Sequence, residues 1–182
     1  SKNKISDAEG VVNYSINCDT DILLAGSKIA YESGYASVLG TSEAEVVAEL
    51  LLTPLSALIV GNRVMLNPIY FDFDKWNITT QAAYELDKLV QLMKIYDTMI
   101  ISAESHTDFR GTNSYNLLLS KRRAKSTAQY VISKGIDASR ITGTGKGETA
   151  PNINCGGNCT EAEHQLNRRS EFIIVEGNPN DE

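Results

Sequence analysis

Ala82, Leu86, Leu89, Val90 and Met93 fall at i, i+4, i+7, i+8 and i+11, which puts them on one face of a helix running from Thr79 or Thr80 to Tyr96. On either side of that helix the period changes. "NPIYFDF" (67–73) and "TMIISAE" (98–104) read as strands, and a second helix starts near Asn113 or Ser114 and stops at Gly135, a residue suited to a helix C-terminus. On this second helix Leu117, Ala124, Ala128 and Val131 form the buried stripe, with Asn116, Ser120, Arg123 and Thr127 along its edge. "RITGTG" (140–145) and "SEFIIVE" (170–176) are the remaining strands, the last preceded by a short helical turn at "TEAEHQL". Strands separated by single helices predict βαβ units, hence an α+β fold with a mixed sheet and helices packed on one side.

The first third of the chain follows another pattern. Alternation in "VVNYSI", "DILLAGSK" and "EVVAELLL", punctuated by "SGYAS" and "LGTS", predicts a small β unit. Pro54 in "LTPLSALIVGNRV" marks the change of pattern, and we divide the chain into a β segment, 1–58, and a second domain, 59–182. With 182 residues and a moderate apolar content the chain can bury a core. Its longest apolar runs fall well short of the roughly 18 residues of a membrane span, so direct membrane insertion by this piece is not expected. "SKNKISDAEG" lacks the apolar core of a targeting signal, so any such segment of the natural protein is expected to lie outside this sequence.

The formal charge of −6 resides mostly in residues 1–60, which carry three Lys against eight acids. Without a broad basic face, nucleic acid is excluded as the main partner. The one dense basic cluster is Lys121, Arg122, Arg123 and Lys125, most of it a solvated helix face. Arg123 is the exception, because it lies at the rim of the packing stripe. Asp108 follows the second strand, and Gly111 lets the chain turn sharply from there toward the helix that carries Arg123. The two side chains are therefore expected close together. They can form a plain ion pair closing the loop, or they can complement a zwitterion, Asp108 accepting from an ammonium while Arg123 clamps a carboxylate.

"SHTDFRGTNSYNLLLSKRRA" (105–124) resembles the signature of the OmpA C-terminal-like peptidoglycan-binding domain, shared by outer-membrane protein A, the Pal lipoprotein and MotB. "IYFDFDKWNI", "GIDASRITGTGKGETAP" and "NRRSEFIIV" stand in the order that family has, and the likeness covers about residues 66–176. It implies noncovalent binding of peptidoglycan through diaminopimelate of the stem peptide, with Asp108 and Arg123 holding the zwitterionic end. It further implies a pocket lined by Asp72, Phe73, Asp74, Thr107, Asn116 and Leu119, and Arg168 and Arg169 in structural roles. The implied setting is the periplasm at the outer membrane of a Gram-negative bacterium, with other envelope proteins as partners. Ser105 departs from the glycine of the family's GHTD motif, and the loop containing Cys155 and Cys159 is also unusual; neither change touches an implied contact. The leading segment, with "DAEG", "CDTD" and "K…GY", resembles the end of a carboxypeptidase-regulatory-like sandwich. The combination resembles the peptidoglycan-anchored component of a type IX secretion machine.

Other chemistry is poorly supported. In "GTGKGET" Lys146 is followed by Gly147 where a P-loop needs Ser or Thr, and the spacing fails GxGxxG. Two histidines without HExxH give no catalytic metal site, and no G-x-S-x-G elbow is present, so neither a metal nor a cofactor nor an enzyme is expected. A peptidoglycan hydrolase and a ligand-free protein scaffold are the alternatives kept open. Cys155 and Cys159, four apart, have disulfide spacing that suits an oxidising compartment; zinc held with His164 is the competing reading. Cys18 has no evident partner.

Overall fold

A computed structural model describes residues 3–43, 45–71, 74–154 and 158–181. The chain divides into two compact units, 1–53 and 54–182. The second begins at Pro54 and not after residue 58, because Leu55 is buried in its core and Leu58 packs against that core.

In the first unit, β1 (Ile22–Gly26) pairs antiparallel with β2 (Gly34–Val38). These strands form a single two-stranded sheet, in place of the two facing sheets of a sandwich. "SGYAS", read as punctuation, supplies β2, whereas residues 11–16 and the described part of "EVVAELLL" join no strand. Leu50 instead lays its side chain where a Cβ on Gly26 would stand, 2.8 Å from its Cδ2.

The second unit is a mixed α/β domain whose five-stranded sheet has the order β3-β4-β7-β5-β6. Its strands are β3 (Ile59–Val60), β4 (Arg63–Val64), β5 (Ile100–His106), β6 (Ile141–Gly147) and β7 (Ser170–Glu176). β5 and β6 run parallel, and the other pairs are antiparallel. α1 (Thr80–Ile95) starts where Thr79 accepts a hydrogen bond from the Ala82 N–H, and it buries the five residues that the periodicity picks out. α2 (Asn113–Ser133) is capped in the same way by Thr112 and followed by Gly135 at φ 94°. α3 (Glu161–Asn167) opens with a capping box between Thr160 and Glu163.

Period-two alternation builds the core. Val64, Phe172 and Ala103 align across β4, β7 and β5, and Ile174, Ile101 and Ile141 align across β7, β5 and β6. On β6 the same face shows Gly143 and Gly145, where an added Cβ would stand 2.5 Å from the Ala124 carbonyl oxygen and 2.6 Å from Lys121 Cα. Glycine there lets α2 lie directly on the strand. The second helix sinks deeper than its sequence stripe implies: Asn116, Ser120, Arg123 and Thr127, expected at the rim, are buried, while Leu117 is exposed. Ser120 makes that burial tolerable, since its hydroxyl donates to the Leu117 carbonyl and accepts from the Gly147 N–H.

One expected strand is not formed by its described residues: 67–71 pair with no neighbour. Asn67 donates through its backbone N–H and its side chain to the Glu85 carboxylate on α1, and Ile69 is buried, so the segment packs on the helix. Among the described residues no helix is long and apolar enough to cross a membrane.

Candidate functional site

The site lies where β5 ends and α2 begins. Thr107 donates its backbone N–H to the Gly147 carbonyl, which fixes the exit of the strand, and Gly111 at φ 105° turns the loop into α2. Asp108 is therefore held at the bottom of this turn, only 6% exposed. Its Oδ1 accepts from the Arg110 backbone N–H at 3.0 Å. Its Oδ2 accepts from Arg110 Nη2 at 2.8 Å, Arg110 Nε at 3.2 Å and Arg168 Nη1 at 2.7 Å. Burial pushes the Asp108 carboxyl up, but the bonds from Arg110 and Arg168 outweigh it and hold the group at about 2. Asp108 is charged at any physiological pH.

Arg123 comes from the third turn of α2, past Asn116 and Leu119, and is 8% exposed. Its Nε donates to the Lys75 carbonyl at 3.0 Å, and its guanidinium lies over the Phe71 ring, 5.0 Å from the centroid. Burial lowers its pKa, while Tyr115, Asp108 and Asp74 act in the opposite sense. No ion pair joins Asp108 to Arg123 among the described residues, although burial brings both out of water. With Arg168, Gln165, Ser105 and Ser170, Arg123 lines a cleft of about 50 Å³.

The remaining expected positions gather around this pair to different degrees. Asn116 Nδ2 donates to the Asp108 carbonyl at 3.2 Å and also to Glu148 Oε2. Leu119 is buried, and the Thr107 hydroxyl is buried without a partner among the described groups. Asp74, at φ 54°, accepts from the Tyr115 hydroxyl at 2.7 Å, which ties its loop to α2. Asp72, Phe73 and Cys155 lie outside the described residues. Cys159 is not a free thiol, whereas Cys18 is free and exposed. Among the described residues no group of three or more His, Cys, Asp and Glu side chains could hold a metal ion.

Sequence reasoning missed the second layer. Arg110 Nη1 and Arg168 Nη2 both donate to Glu161 on α3, at 3.0 and 2.7 Å, so two arginines bridge two carboxylates. Arg168, expected to be structural, thus reaches the Asp108 carboxylate itself. His164 packs against Phe109 with ring centroids 5.0 Å apart and planes tilted by 51°, and its Nδ1 stands 3.7 Å from Asp108 Oδ2. The seven-residue spacing of Glu161 and Arg168, two helical turns, is the signal that puts them on one face.

Known proteins resemble this chain in sequence, and solved structures resemble it in fold. Outer membrane protein A of Bordetella avium is 38% identical over 122 residues, 67% of this chain and 59% of that protein. A stretch of photosystem I P700 chlorophyll a apoprotein A2 of Gloeobacter violaceus is 32% identical over 157 residues, 84% of this chain. The chain spans 18% of that apoprotein, so in both relatives it corresponds to a part of a longer protein. Among solved structures, the peptidoglycan-associated lipoprotein of Burkholderia pseudomallei is 28% identical with a TM-score of 0.52, covering 58% of this chain and 86% of the lipoprotein. Residues 70–165, from the loop that holds Arg123 to the helix that holds Arg168, match the OmpA family over more than half of the sequence, and the chain belongs to that family.

Proposed function

We propose that this domain binds peptidoglycan noncovalently through the zwitterionic end of diaminopimelate in the stem peptide, and so anchors an outer-membrane protein or envelope complex to the cell wall from the periplasmic side. The observation that carries the reading is a buried carboxylate just past β5 and a buried guanidinium on the helix that follows, Asp108 and Arg123, that are not paired with each other. A plain ion pair closing the loop would join them directly. Side chains of opposite sign that are not spent on each other can instead complement a ligand that carries both charges. Asp108 accepts from the ligand ammonium, and Arg123 takes its carboxylate at the cleft. Asp74, Thr107, Asn116 and Leu119 are the described positions that we assign to the pocket around them, and the family resemblance adds Asp72 and Phe73. The name of the Burkholderia lipoprotein, peptidoglycan-associated, supports the ligand class.

Each charge-assisted contact contributes about 1.5–3 kcal/mol, which suits modest affinity at a single site. A polymer with many stem peptides then strengthens attachment through effective concentration. The role is retention, and no residue is assigned to catalysis. The test is calorimetric titration of a diaminopimelate muropeptide into wild type, Asp108→Ala and Arg123→Ala, with a lysine muropeptide as control. Lysine ends in an ammonium without the neighbouring carboxylate, so it leaves Arg123 unused. Heat from wild type and the diaminopimelate ligand alone supports the clamp. Folded wild type that gives no heat and is not retained on sacculi refutes it and leaves a protein scaffold.

A further inference from the structure

Asp108 is already occupied. Oδ2 accepts three guanidinium N–H groups, two from Arg110 and one from Arg168, and Oδ1 accepts the Arg110 backbone N–H. A carboxylate oxygen offers about two lone-pair sites, so Oδ2 is full and Oδ1 retains one. A ligand ammonium brings three donors. To make more than one bond to Asp108 it must displace a donor already there.

The two arginines differ in how firmly they are held. Arg168 has a side chain 26% exposed and spreads its guanidinium over Asp108, Glu161 and Gln165. Arg110 has a side chain 52% exposed, stands beside Gly111, and already donates its Nη1 to Glu161. It can therefore release Asp108 while keeping a carboxylate partner. Glu161 is itself exposed, so this second pairing lies toward solvent.

We propose that Arg110 is an internal occupant of the cation half of the site: it must move from Asp108 to Glu161 before a ligand ammonium can be fully bound. This rests on the proposed role of Asp108 as the ammonium acceptor. The consequence is selectivity. A simple amine gains Asp108 at the expense of the Arg110 contact, and the two nearly offset each other. A ligand with an adjacent carboxylate also gains Arg123, so the exchange runs in its favour. Glu161 is the parking position that makes the exchange cheap, which is a use for an exposed helix carboxylate bonded to both arginines.

The test uses the full chain and a diaminopimelate muropeptide, with wild type, Arg110→Gln and Glu161→Gln compared by calorimetry. Arg110→Gln should bind about two- to fivefold more tightly, the range set by removal of a half-exposed ion pair. Glu161→Gln should bind more weakly, because Arg110 then has Asp108 as its remaining carboxylate. In wild type, muropeptide should shift the Arg110 Nε–H signal in nitrogen-15 NMR and speed its exchange with water. A purely structural Arg110 moves neither quantity in these directions. If wild type binds and Arg110→Gln binds equally or less tightly, the exchange is refuted while the zwitterion site stands. Binding by Arg110→Gln alone also refutes the exchange, because wild-type Arg110 would then not yield Asp108 to the ligand. If neither folded protein binds, both the site reading and this inference fall.

Discussion

Replacing His106 with Gln should remove a large part of the acid sensitivity of the domain. The imidazole is 4% exposed, and neither ring nitrogen has a hydrogen-bond partner among the described groups. Burial pushes its pKa down, the Arg169 charge adds to that, and Glu171 and Glu104 oppose it less strongly; Lys146 acts in the same sense as Arg169, and the result is about 4. The unfolded chain holds its histidine near 6.5, so between these values the unfolded state binds the proton that the folded state refuses. Stability is thus fully present above about pH 6.5 and falls as the pH drops toward 4, by about 3 kcal/mol in all. That is a substantial fraction of the roughly 5–15 kcal/mol that holds a domain together. Asp108 acts in a separate window: its folded pKa of about 2 lies below the 3.8 of a free aspartate, so its contribution is intact above 3.8 and lost as the pH falls through 2. The assay is urea unfolding of wild type and His106→Gln at about pH 7.5 and about pH 4.5, read as the difference in stability loss. Glu171 also has a lowered pKa but is present in both proteins, so most of its effect cancels. Parallel losses in the two proteins would refute the reasoning and mean that the imidazole is solvated or bonded.

Two further outcomes follow from the same structure. Gly143→Ala would put a Cβ 2.5 Å from the Ala124 carbonyl oxygen, backbone that cannot step aside, and should cost about 1–3 kcal/mol or more in unfolding experiments. Gly61→Ala is the comparison: nothing lies within 4 Å of its Cβ, and the strain of its φ of 57° costs about 1–2 kcal/mol. Equal losses would mean that α2 is not seated on β6. We also propose that Cys155 and Cys159 are joined. Intact mass spectrometry of the non-reduced protein should find one free thiol, on Cys18, and three free thiols would withdraw the bond. Closing so small a ring pins the loop locally and adds little to global stability.

How much of this was legible depends on the distance over which each feature is decided. α1 and α2 could be read because periodicity and the caps at Thr79 and Thr112 are local properties of the chain. The β3–β4 hairpin escapes sequence reading for want of length, with two residues in each strand, although Gly61-Asn62 between Ile59-Val60 and Arg63-Val64 is a hairpin signal. "NPIYFDF" carries strand-like alternation, but Pro68 removes a backbone donor and Asn67 is captured by Glu85, eighteen residues away on α1. The site divides along the same line. Asp108 and Arg123 could be named from a short motif. Their electrostatics could not, because the Asp108 carboxylate is held by Arg168, sixty residues away in sequence, and Arg110 is steered by Glu161, fifty-one away. The burial of Arg123 is equally remote in origin: it follows from glycines on β6 that let the whole helix descend. A helical wheel assigns a residue to a face, but the depth of that face is set by what the opposing strand lacks. For a binding domain that depth is decisive, since an arginine at a rim is worth little to a ligand, whereas one taken out of water beside a cleft makes its charge count.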